Sequence, residues 1–193
     1  MALLYISPTG SGKRDGSSAA NAGTLSNLPG FIAAAGSGGE VRLLADQGAY
    51  HVTQQISIDD GGAAGAPVTI RGSNSSGQPM AATIVGTRAS PWTPGLSEGS
   101  ELFRLLAGAN HLKFADLAVK NVGNGAFRIA GDIADLTIKR TTATNVSRFI
   151  EDLASGSSTS ASVNGLTVED ATVSGYSRNA IRLQYNSRNV TIE

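Results

Sequence analysis

Four segments of the C-terminal half fall into register when laid under one another: LFRLLAGANHLKFADLAVKNV, AFRIAGDIADLTIKRTTATNV, FIEDLASGSSTSASVNGLTVEDATVSGY and AIRLQYNSRNVTIE. Phe103, Phe127, Ile150 and Ile181 take the first apolar anchor of each segment, and Leu112, Leu136, Leu166 and Val190 take the second. The second anchor follows the first by nine residues in every segment but the third. There a Gly/Ser/Thr-rich stretch over 154–163 supplies the excess and reads as a loop bulging from a constant frame. A repeat of this length built from short strands cannot bury its apolar face alone. Neighbouring repeats must stack, with equivalent strands hydrogen-bonded in parallel and like residues over like. The alignment therefore predicts one interior column of Leu112, Leu136, Leu166 and Val190, with Phe114, Ile138, Val168 and Ile192 beside it. Asn121, Asn145 and Gly175 are expected to meet at one corner.

The preceding residues use the same vocabulary less regularly. Short β-branched or leucine-rich runs, Val41–Leu44, Ile56–Ile58, Val68–Ile70 and Thr83–Val85, are punctuated by glycine, which contributes 24 residues to the chain. One helix is predicted, over Ala19–Asn27, with Ser17 or Ser18 as N-cap. Leu25 and Leu28 lie on one face, Pro29 forces a break, and Phe31 with Ile32 forms a last apolar turn. Near the start of a solenoid such a helix would cover the open end of the core. The expected class is all-β: a right-handed parallel β-helix solenoid with a short N-terminal capping α-helix, in a single domain over 1–193. Within it, 1–39 form a strand and cap, 40–101 the first irregular coils and 102–193 regular coils. The last strand runs to Glu193 with an apolar cross-section uncovered, so the C-terminal face is expected to be covered by further coils or another chain, or to mark a truncation.

Charge and motif content exclude several classes. Fifteen basic and fifteen acidic residues cancel, so no global field draws in nucleic acid or an anionic membrane. No apolar run is long enough to span a bilayer. The absence of cysteine excludes disulfides and thiolate metal sites. Ser7-Pro8-Thr9-Gly10-Ser11-Gly12-Lys13 looks like a phosphate-binding loop, but Ser7 replaces the leading glycine and Arg14 the magnesium-binding hydroxyl residue. Asp15-Gly16 then breaks the helix that should follow, so a surface turn is the preferred reading. His51 and His111 fall in different coils, which argues against a histidine-based metal site or triad. Trp92, between Pro91 and Pro94, is either a sugar-stacking platform or packing for the solenoid flank, and the second is favoured.

The segment VRLLADQGAYHVTQQISIDDGGAAGAPVTIRGSNSSG, followed by ATIVG, resembles the opening of bacterial polysaccharide lyases in the pectin-lyase-like right-handed β-helix superfamily. There a strand, a Gly-x-Tyr turn and a PVTIRG-like strand lead into the first full coil. The resemblance covers nearly the whole chain and implies fold more than function, since members include lyases, epimerases and hydrolases of acidic polysaccharides as well as adhesins and tailspikes. It implies a secreted or cell-surface protein associated with acidic polysaccharide, of polysaccharide-lyase type, with a non-catalytic structural or adhesive β-helix as the alternative. The lyases' Lys or Arg base and carboxylate-held calcium have no complete match in this sequence.

If the first anchors point inward, period-two alternation places Arg104, Arg128, Glu151 and Arg182 outward in one column. Guanidinium groups one strand apart suit bidentate capture of uronic acid carboxylates. Glu151 with Asp152 could contribute to a calcium site, because hard cations prefer oxygen ligands. The competing reading is a charge ladder whose alternating signs relieve repulsion between coils. Asp152 falls where the other segments carry an apolar residue, which predicts a bulge or a hydrogen-bonded buried carboxylate.

Overall fold

The computed structural model describes residues 1–153 and 161–193. In chain order its elements are β1 (Leu3–Ile6), α1 (Leu28–Ala35), β2 (Glu40–Leu44), β3 (Tyr50–His51), β4 (Ile56–Ile58), β5 (Val68–Ser73), β6 (Ala82–Val85) and β7 (Phe103–Leu105). There follow β8 (Leu112–Val122), β9 (Phe127–Ile129), β10 (Ile133–Val146), β11 (Arg148–Asp152), β12 (Val163–Glu169), β13 (Thr172–Ser174), β14 (Asn179–Arg182) and β15 (Arg188–Ile192). The fold is mostly β, in two sheets whose strand pairings are all parallel. The long sheet runs β1-β2-β5-β8-β10-β12-β15, and β3, β6 and β13 pair beside that path; the short sheet runs β4-β7-β9-β11-β14. No helix among the described residues is long and apolar enough to cross a membrane.

Strand pairing follows the alignment of the repeats. Leu112, Leu136, Leu166 and Val190 are successive register partners in the long sheet, as are Phe114, Ile138, Val168 and Ile192. Val68 and Ile70 extend the same columns backwards. In the short sheet Phe103, Phe127, Ile150 and Ile181 pair in order, preceded by Ile56. Alternating side chains turn these residues inward, and all but the last members are buried. Each fully buried member contributes roughly 1.5–3 kcal/mol. Phe114 from the long sheet lies 5.1 Å, centroid to centroid, from both Phe103 and Phe127, so one aromatic cluster joins the two sheets. Val190 and Ile192 continue the columns on β15, whose residues are exposed throughout. The bulge expected over 154–163 lies, for 154–160, outside the described residues.

The helix departs from expectation. It starts at Leu28, after a 3-10 turn over Leu25–Asn27 in which Asn27 Oδ1 accepts the Thr24 backbone N–H at 2.8 Å. Pro29 therefore opens the helix instead of ending one. First-turn N–H groups have no intrahelical acceptor, so proline's missing donor costs nothing there. Leu28, Ile32 and Ala35 are its buried stripe, and α1 packs against β1, β2 and β4.

The corners are held by residues with positive φ. Asn121, Asn145 and Gly175 stack as the alignment predicted, at φ 57°, 53° and 61°, and Asn145 Nδ2 donates to Asn121 Oδ1 at 2.9 Å. Asparagine tolerates this conformation because its short side chain bonds locally. A second corner carries Asp116, Arg140 and Asp170, at φ 55°, 45° and 52°; Arg140 donates to both oxygens of Asp116, at 2.7 and 2.9 Å. Asn145→Ala removes the ladder bond and places a Cβ residue without local compensation in the left-handed region. It is expected to destabilise the chain by about 2–3 kcal/mol, with Asn145→Gly recovering about 1 kcal/mol of that loss. Urea denaturation of the two variants checks the order.

Candidate functional site

Ser57, Arg104, Arg128, Glu151 and Arg182 are register partners across the short sheet. The predicted column is thus assembled, but its charges are already engaged. Glu101, 4% exposed, sits just before β7 and forms ion pairs with both Arg104 and Arg128; its Oε2 lies 2.8 Å from Arg128 Nη1. Arg128 Nε also donates to the Leu153 carbonyl at 3.0 Å. Glu151 is fully buried and accepts from Arg148 Nη1 at 2.9 Å. It therefore does not stand on an exposed ladder. Every residue of β11 is buried, so both faces of this strand are covered where alternation alone predicts one solvent face.

Two ion pairs of opposite polarity underlie this arrangement. Glu101–Arg104 and Arg148–Glu151 each join residues three apart around the start of a short-sheet strand, with acid and base exchanged. The intervening repeat has Gly125 two residues before Phe127, and a Cβ built there would come 3.2 Å from Glu151 Cγ. Absence of a side chain at Gly125 leaves the space into which Glu151 lies. Burial pushes the Glu151 carboxyl above its usual range, against the pull of Arg148 and Arg128. Burial likewise draws the Arg148 guanidinium down, opposed mainly by Glu151. The sequence reading missed Glu101 and Arg148; their common offset of two residues before an inward anchor was the signal that could have found them.

Asp152 does not join Glu151 in a shared site. Its carboxylate accepts the backbone N–H groups of Gln184 at 2.6 Å and Tyr185 at 3.1 Å, and the Ser187 hydroxyl at 3.0 Å. Sitting opposite Ile129 in an otherwise apolar column, it organises the turn between β14 and β15. This is the hydrogen-bonded buried carboxylate foreseen as one reading of its place. Among the described residues no group of three or more His, Asp or Glu side chains is gathered to hold a metal ion. The calcium expectation for Glu151 and Asp152 thus finds two carboxylates with separate internal partners.

The remaining candidates are placed as follows. In the Ser7–Lys13 turn the amides that would cradle phosphate are occupied by the protein itself: Ser11 N–H donates to Ala22 O at 2.8 Å and Lys13 N–H to Asn21 Oδ1 at 3.1 Å. Trp92 stacks on the guanidinium of Arg88, 4.2 Å from ring centroid to Cζ. Arg88, 3% exposed, ion-pairs with Glu98 and donates to Asn145 Oδ1 at 3.3 Å and Ser177 Oγ at 2.8 Å. One buried cation thereby pins the 86–101 loop across the corners of later repeats, beside the short sheet. Trp92 serves that packing. His51 and His111 lie apart, and His111 Nδ1 is 2.7 Å from Asp135 Oδ2.

In the outward column Arg104 and Arg128 are thus held by the one buried acid Glu101. Arg104 and Arg128 keep 22% and 12% of their side chains exposed, and Arg182, at the sheet edge, is partly exposed and hydrogen-bonded to Gln184. The chain matches no protein-family profile, and neither curated protein sequences nor solved structures match it.

Asp152→Ala leaves the three donors of the 184–187 turn without their buried acceptor and is expected to cost about 2–4 kcal/mol in chemical denaturation. A carboxyl whose folded pKa is raised favours folding below its unfolded value, ordinarily 4.5, and loses that contribution as pH rises through the folded value. Relative to the parent chain, Glu151→Gln should therefore gain stability progressively as pH rises above about 4.5. Parallel denaturation curves across that range measure the trend, and a flat difference would contradict it.

Proposed function

We propose that this chain is a right-handed parallel β-helix in which α1 caps one end, and that it associates with acidic polysaccharide along the short sheet. The single observation that carries the glycan reading is the Arg104–Arg128–Glu151–Arg182 column with Glu101 beneath it. Glu101 ion-pairs with both Arg104 and Arg128 and holds them in place before any ligand arrives, so little side-chain freedom is lost on binding. Their exposed portions lie one strand spacing apart, roughly 4.8 Å, along the direction in which an extended polymer would run. Guanidinium groups suit its carboxylates. Glycans of this class lie outside cells, so a site at the cell surface or in the medium is part of the same proposal. A polysaccharide-lyase type of activity is the enzymatic form of this proposal.

A second reading, a non-catalytic structural or adhesive β-helix, is favoured by the burial of Glu151 and the internal pairing of Arg128. On that reading the column is a ladder that serves stacking alone. Arg104→Gln with Arg182→Gln separates the two, because it keeps the buried Arg128–Glu101 and Arg148–Glu151 pairs. Glycan binding predicts retention on alginate or pectate that weakens with salt and falls about tenfold or more in the double variant. Equal retention of parent and variant would leave only the structural reading. Growth of unsaturated-uronate absorbance during incubation with either polymer is the outcome expected of a lyase.

A further inference from the structure

The outward column begins not at Arg104 but at Ser57 on β4, and Ser57 is also on the rim of a groove of about 370 Å³. One wall of the groove is the corner from Tyr50 to Ser57, and the other is the N-terminal segment, through Pro8, Thr24–Ser26 and Pro29. Tyr50 anchors the corner from behind: it is 1% exposed, and its hydroxyl lies 2.9 Å from Ile6 O and 3.1 Å from Leu44 O. The volume is in the range of small-molecule clefts, about 300–1,000 Å³.

The lining chemistry differs from that of the column. Pro8, Leu25, Pro29, Val52 and Ile56 supply apolar surface, while hydroxyl and amide groups surround it. Among the described residues no Asp, Glu, Lys or Arg lines the groove, so a carboxylate entering it would lose water without meeting a fixed counter-charge. Thr24 and Ser26 hydroxyls satisfy each other at 2.8 Å, and Gln55 is 3.5 Å from Ser57 Oγ. Among the described residues the side chains of His51, Thr53 and Gln54 have no hydrogen-bond partner, and all three groups are on the rim. These donors and acceptors around an apolar floor match a sugar ring, which has hydroxyls at its edge and C–H groups on its faces.

We infer that this groove binds a neutral sugar unit, and that it continues the track of the charged column towards the N-terminal end. The inference rests on the glycan reading proposed above and specifies it: the polymer recognised carries both acidic and neutral sugars, with the neutral one seated against His51 and Gln54. Arg104 and Arg128 discriminate by charge, and the groove discriminates by its absence.

The test is a nuclear magnetic resonance titration of the intact chain with neutral disaccharides (cellobiose, maltose and lactose) and, separately, with digalacturonate. At least one neutral disaccharide is expected to move the His51 imidazole and the Gln54 and Gln55 side-chain amide signals in a saturable way. Gln54→Ala with Gln55→Ala should weaken that binding about tenfold, the scale of one or two neutral hydrogen bonds. Both glutamines are exposed, so the fold is expected to tolerate the change; an unchanged backbone spectrum verifies it. Arg104→Gln with Arg182→Gln should leave the titration as it was. If no neutral disaccharide moves these signals, or digalacturonate moves them as strongly, the inference is overturned. Alginate retention of the same sample reports on the column alone, so failure of the column and failure of the groove are read separately.

Discussion

In-register parallel pairing of successive repeats is the interaction on which everything else in this molecule depends. Each strand finds its hydrogen-bond partners one repeat away, so a residue at a given place in a repeat is obliged to lie over its counterpart. Apolar columns then close over one another, and the cluster of Phe103, Phe114 and Phe127 ties the two sheets together. The same obligation governs the corners, where Asn121, Asn145 and Gly175 share one left-handed conformation. It governs the charges as well. A guanidinium in one repeat is forced near whatever the next repeat carries at that place, and repulsion has to be relieved locally.

That relief shapes the short sheet. Arg104 and Arg128 would face each other directly, as register partners, and like charges so placed are destabilising. Glu101 lies with both and removes the conflict. Two repeats on from the Glu101–Arg104 pair the polarity is exchanged, with Arg148 serving Glu151. Buried ion pairs offset their own desolvation only when geometry and hydrogen bonding are good, and they add little net stability over apolar residues of similar size. Their consequence here is fixed position. Held by Glu101, Arg104 and Arg128 present a constrained surface instead of a cloud of mobile cations.

The N-terminal groove is set by a different constraint. The segment before β2 does not follow the repeat, and the first full corner is braced by the Tyr50 hydroxyl against backbone carbonyls of β1 and β2. Between the regular corner and the irregular segment a neutral concavity remains, bordering the first position of the charged column. Two chemistries thereby adjoin on one surface, with the boundary at Ser57.

Strand columns, the asparagine corner and the charged column could be read from sequence because stacking converts a linear period into a spatial neighbour. Once Leu112, Leu136 and Leu166 are aligned in one sheet and Phe103, Phe127 and Ile150 in the other, the offset next to each anchor is aligned too, and Arg128 falls opposite Glu151. Burial of Glu151 could not be read in this way. Alternation states only that its side chain leaves the interior; the vacancy at Gly125 and the reach of Arg148 decide that it is covered. Pro29 was similarly ambiguous, since proline both stops helices and starts them, and only packing of Leu28, Ile32 and Ala35 on the strands selects the second use. Which residues stack follows from the order of residues alone, because backbone hydrogen bonding between like repeats leaves no freedom of register. Tertiary structure alone decided which outward groups meet solvent, because that depends on long side chains and loops, such as the Arg88-pinned crossing, whose paths no period encodes.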